Sequence, residues 1–134
     1  MKYNGIIESK LRIIEEKVDN IKNWEIDSLR DLQENSMLHL AVERALQIAI
    51  EAMIDVAERI LALKKIPPQN SSAFSLKKLQ ELNILENEKD YTDMIRFRNF
   101  IVHRYENIDL DIIFNILTNK LNLFTQFVDE IRKS

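Results

Sequence analysis

The sequence predicts an all-α protein: an antiparallel four-helix bundle with an additional short helix, built as one domain over residues 1–134. Three observations lead there. One glycine and two prolines supply too little turn chemistry for a sheet protein, which needs a hairpin roughly every ten residues. Apolar residues recur instead at steps of three and four, the spacing of a helix face. The length of 134 residues, with 46% hydrophobic, suffices for one core and not for two.

The elements follow in order. Ile7, Leu11, Ile14, Val18 and Ile21 form the seam of a first helix over about residues 4 to 22. Leu38, Val42, Ala45, Ala49, Ala52 and Val56 continue the rhythm in a long second helix, about 29 to 64, whose alanines let a partner helix approach closely. Pro67 and Pro68 stop it, and the polar run from Gln69 to Ser72 reads as a surface loop. Ser75 is the expected cap of a short third helix ending near Asn83, with Phe74 packing on Leu79 as a hydrophobic staple. A fourth helix is expected from about 87 to 104, its acidic start from Glu86 to Asp90 solvated and suited to the positive end of the helix dipole. Asp109 or Asn107 then caps a fifth, with Leu110, Ile113, Leu117, Leu121, Phe124, Val128 and Ile131 inside.

Composition removes several kinds of chemistry. Without cysteine there are no disulfides, thiolate nucleophiles or Cys-ligated metals, and two histidines cannot complete a His-rich metal site. No metal and no cofactor is therefore expected, and no Gly-rich phosphate loop is present. Ser71 and Ser72 have no histidine or acid at triad-like spacing, and Trp24 and His39 read as structural. No apolar run reaches the length of a signal core or the ~20 residues that span a bilayer, so the expectation is a soluble, cytoplasmic protein without membrane contact. A formal charge of −3 argues against a broad basic surface but allows a local basic patch.

That patch falls on the fourth helix. Tyr91, Met94, Ile95, Phe97, Phe100, Ile101 and Val102 cover most of its circumference, which implies a second buried face. Either the helix is central in the monomer or a second copy of the chain covers that face, and a homodimer is the reading favoured. Arg98 occupies the next slot of the apolar seam, where an unpaired guanidinium is costly, so it must be paired or line a wet cleft. Glu51 and Asp55, one turn apart on the second helix, are candidate acidic partners. Asn99 and His103 are four residues apart and share a face, where the amide can orient the imidazole. With Arg96 and Arg104 nearby, an anionic ligand, a phosphate above all, is the natural inference.

Residues 98 to 105 read Arg98-Asn99-Phe100-Ile101-Val102-His103-Arg104-Tyr105. This segment resembles the R-x4-H-x-Y motif of HepT-like toxins in the HEPN superfamily, including the small polar residue after the arginine. The order of a long alanine-bearing helix, a loop, the motif helix and a last amphipathic helix is similar to that family over nearly the whole chain. The resemblance implies a HEPN-like bundle, homodimeric, with two motifs facing one cleft and metal-independent endoribonuclease activity on RNA. It further implies Arg98 and His103 as catalytic, Asn99 as supporting, and Tyr105 as the residue adenylylated by a cognate MntA-like nucleotidyltransferase antitoxin. The chemistry is consistent with those residue types. RNA carries its own nucleophile in the 2'-hydroxyl, an imidazole with an ordinary pKa of ~6.5 can move the proton, and a guanidinium can meet the developing phosphate charge.

The alternative is a non-catalytic helical binding or regulatory subunit that partners a nucleotidyltransferase and holds phosphate without cleaving. The pairing of Asn99 with His103 favours catalysis, because holding phosphate alone is served as well by lysine or arginine.

Overall fold

The seam of the first stretch becomes one continuous helix. In the computed structural model, which describes residues 3, 5–103 and 109–134, α1 (Gly5–Asn23) buries Ile7, Leu11, Ile14, Val18 and Ile21, the positions its spacing marks. The expected second helix is two helices, α2 (Leu29–Glu34) and α3 (Ser36–Leu63). Asn35 breaks it: its backbone is extended, at φ −133°, and its side chain accepts a hydrogen bond from the Leu38 N–H at 3.0 Å. An asparagine that caps one helix cannot also continue the one before it.

The third helix, α4 (Ser72–Glu81), begins a turn earlier than expected. Ser71 caps it through a 3.2 Å hydrogen bond from the Phe74 N–H, while Ser75 is buried inside the helix and donates to the Ser71 carbonyl. Phe74 is 52% exposed, so it makes no staple with Leu79. With a single glycine in the chain, other residues end the helices. Lys65 and Asn83 take positive φ after α3 and α4, and the next N–H groups, of Ile66 and Ile84, close back on Leu61 and Leu79.

The fourth helix opens with a 3-10 turn, Glu88–Tyr91, capped by Asn87, and continues as α5 (Thr92–His103). The acidic start is not simply solvated, since Asp90 accepts a hydrogen bond from Gln126 at 2.8 Å. The last stretch divides into α6 (Leu110–Asn119), capped by Asp109 as expected, and α7 (Leu121–Lys133). Lys120 makes the break, and its ammonium lies 3.1 Å from Asp93 of α5. Ile113, Phe124, Val128 and Ile131 are buried as expected and are joined by Ile116 and Phe127. Leu110, Leu117 and Leu121 are only half-buried.

The bundle core is centred on α3, which packs against α1, α4 and α5, while α7 packs on α1. Arg132 of α7 reaches Glu8 at 2.7 Å and Glu15 at 2.9 Å, joining the last helix to the first. Burial of α5 is supplied within the chain: Tyr91, Met94, Ile95 and Phe97 are all inside, so most of the face assigned to a second copy is covered by the monomer. Further along, Phe100 is 46% exposed and Ile101 half-buried. Trp24 sits in the turn after α1 and is exposed. Among the described residues, no helix is long and apolar enough to cross a membrane.

Candidate active site

The motif begins on the last turns of α5, and two contacts fix where that helix starts. Tyr91 is fully buried, its ring edge-on to Phe127 with centroids 5.4 Å apart, and its hydroxyl donates to Glu130 Oε1 at 2.6 Å. Glu130 also accepts from the Glu86 backbone N–H at 2.8 Å, and Gln126 bridges Asp90 and the tyrosine oxygen. Burial first, and then the bond to Glu130, pushes the phenol pKa well above its ordinary value of 10.0, so it stays a neutral donor. Sequence reasoning missed this anchor. The available signal was an aromatic that must bury a hydroxyl and a glutamate on the apolar side of the last helix.

Two turns beyond Tyr91, Arg98 is half-buried and lines a cleft of about 390 Å³. The cleft runs over α3 between α1 and α5, and Glu51, Asp55 and Glu58 of α3 line it together with Lys10 of α1. This is the wet-cleft outcome for an arginine in an apolar seam. Arg98 Nη1 donates to Asn99 Oδ1 at 3.0 Å, and its Nε is buried with no hydrogen-bond partner among the described residues. A buried guanidinium N–H without an acceptor is costly, and it leaves the arginine without the full set of partners that would fix it in place.

Glu51 and Asp55 share the cleft with Arg98, but their polar contacts lie elsewhere. Glu51 accepts from Gln47 at 3.3 Å, and Asp55 is held by Lys10 and Arg59, each at 3.2 Å. Asn99 has its carbonyl oxygen engaged by Arg98, and its expected pairing with His103 involves a side chain outside the described residues. The backbone of His103 closes α5, while its side chain lies outside the described residues, as do Arg104, Tyr105 and Asn107 altogether. Arg96 points away from the cleft, toward Asp93 at 3.4 Å, so the basic cluster of the sequence is divided between two faces.

Comparison with known proteins places this arrangement in context. A sequence profile described as "Ribonuclease HepT-like" matches residues 7–131. The chain is 30% identical over 81 residues to the mRNA nuclease HepT of Shewanella oneidensis. That match takes in 59% of this chain and 61% of the relative, so the chain spans less than two thirds of that curated relative's length. The fold is similar to the tri-AMPylated HEPN toxin of Shewanella oneidensis solved with its MNT antitoxin, with a TM-score of 0.89 and 28% identity, covering 98% of this chain and all of that one. It is similar also to a toxin-antitoxin structure with AMP-PNP, with a TM-score of 0.88 and 27% identity, covering 98% of this chain and 100% of that one.

Proposed function

The chain belongs to the ribonuclease HepT-like family; on that premise we propose that it is a metal-independent endoribonuclease, the toxin of a toxin-antitoxin pair. It works in the cytoplasm as a single-domain homodimer, and a partner nucleotidyltransferase silences it by adenylylating Tyr105. The observation that carries this reading is Arg98: a guanidinium in an open cleft, steadied by Asn99, with a buried N–H that lacks an acceptor among the described residues. Support for the homodimer comes from Phe100 and Ile112, 46% and 41% exposed, which line a second cavity of about 390 Å³ between α5 and α6.

In the proposed reaction the RNA 2'-oxygen attacks the adjacent phosphorus, the bond to the 5'-oxygen breaks, and a 2',3'-cyclic phosphate and a 5'-hydroxyl result. His103 moves the proton, a role typically worth ~10² to 10⁴ in rate, and Arg98 stabilises charge on the non-bridging oxygens. Adenylylation of Tyr105 would set a second phosphate and an adenosine beside the same cations, in competition with RNA.

The test combines both halves. Wild-type protein should cleave RNA in EDTA, the Arg98→Ala protein should not, and incubation with the nucleotidyltransferase and labelled ATP should label and silence the wild type. The Tyr105→Phe protein should cleave RNA but take no label. Equal cleavage by wild type and Arg98→Ala, or full labelling and silencing of Tyr105→Phe, overturns the corresponding half.

A further inference from the structure

The cleft that holds Arg98 contains a second cation that no motif marks. Lys10 of α1 lines the same cleft, and its Nζ lies 3.2 Å from Asp55 Oδ2. We propose that Lys10 is a substrate-binding residue, gripping a second phosphate of the RNA strand held by Arg98, and that the Asp55 carboxylate occupies its place until RNA arrives. The inference rests on the ribonuclease reading above and names how that site holds its substrate.

Four observations point to this exchange. The two partners are 34% and 33% exposed, so their ion pair is wet and weak, and a phosphate can compete for the ammonium. Asp55 has a second cation, Arg59 Nε at 3.2 Å, and so remains compensated when Lys10 lets go. Among the described residues Lys10 and Arg98 are the cations that line the cleft, beside the carboxylates of Glu51, Asp55 and Glu58, so a polyanion that enters must be held at those two. Arg98 lines the cleft half-buried, and among the described residues its guanidinium has Asn99 as a partner and no carboxylate, so its charge is available to an anion. A lysine suits the second position because its ammonium acts as a point charge on a flexible stem and needs no fixed phosphate geometry.

The experiment measures binding of a labelled single-stranded RNA oligonucleotide to His103→Ala protein in EDTA over a range of NaCl concentrations. Adding Lys10→Ala should weaken binding roughly tenfold at low salt and flatten the slope of log K against log salt by about 0.7, one phosphate contact on a single strand. Lys10→Arg should keep the slope. Asp55→Asn should tighten binding when Lys10 is present and do much less in its absence. Thermal unfolding confirms that each variant is folded. An unchanged slope in Lys10→Ala, equal losses in Lys10→Ala and Lys10→Arg, or an Asp55→Asn effect independent of Lys10 overturns the proposal and leaves the ribonuclease reading standing. Failure of the His103→Ala protein to bind RNA, together with no cleavage by the wild type, overturns that reading and this inference with it.

Discussion

A phenol with no solvent exposure must donate its hydrogen bond to something, and Tyr91 donates to Glu130 at the point where α5 is launched. Removing the hydroxyl in Tyr91→Phe keeps the ring against Phe127 but deletes a charge-assisted hydrogen bond, at a cost of about 1.5 to 3 kcal/mol. The pH dependence has a definite sign. The folded phenol holds its proton more tightly than the unfolded one, so its contribution is fully present below the ordinary value of 10.0 and is lost as pH rises above it. Denaturant unfolding of both proteins should therefore show a gap that is constant near neutrality and shrinks above about pH 10. Arg98 was legible in the sequence because a charge interrupting an apolar seam has few physical excuses. Its neighbours were less so: spacing cannot show that Asn99 turns to the arginine, or that Asp55 is taken by Lys10 and Arg59. Those choices depend on which helices meet, and local periodicity carries no such information.

At the scale of elements, helix positions were legible and their interruptions were not. The seam from Leu38 to Val56 is unaffected by what happens at Asn35, and the seam from Leu110 to Ile131 runs past Lys120. Each break falls at one polar residue: Asn35 caps α3 with its side chain, and Lys120, whose ammonium pairs with Asp93, separates α6 from α7. Capping also sets the start of α4, where Ser71 was available a turn before Ser75 and took the exposed N–H of Phe74. A cap of this kind is typically worth about 1 kcal/mol. Asn35→Ala should thus lower the stability of the folded protein by about 1 kcal/mol, read as a fall of a few degrees in Tm. The α2 segment should lose helicity first, since it is short and depends on its own capping box at Ser28 and Asp31. An Asn35→Ala protein as stable as wild type would mean that the two helices merge at no cost.

For the whole molecule, the bundle serves to bring one edge of α3 into a cleft bounded by α1 and α5. Arg132 ties the last helix to the first through Glu8 and Glu15, and those two carboxylates push its pKa further up, so the clamp stays charged at every working pH. All-α architecture was legible from glycine content and periodicity alone. What covers α5 was not, because an apolar circumference does not say whose side chains lie against it, and the monomer itself supplies most of that cover. The central proposal is that RNA is cut by its own 2'-hydroxyl, with His103 moving the proton. The most direct measurement is the chemistry of the fragment ends after incubating wild type and His103→Ala with tRNA and total RNA in EDTA, beside a fully 2'-O-methylated oligonucleotide. The account predicts 2',3'-cyclic phosphate and 5'-hydroxyl ends from wild type, a rate lower by roughly 10² to 10⁴ in His103→Ala, and no cutting of the methylated strand. Fragments ending in 3'-hydroxyl and 5'-phosphate, or cleavage of the methylated strand, would contradict it.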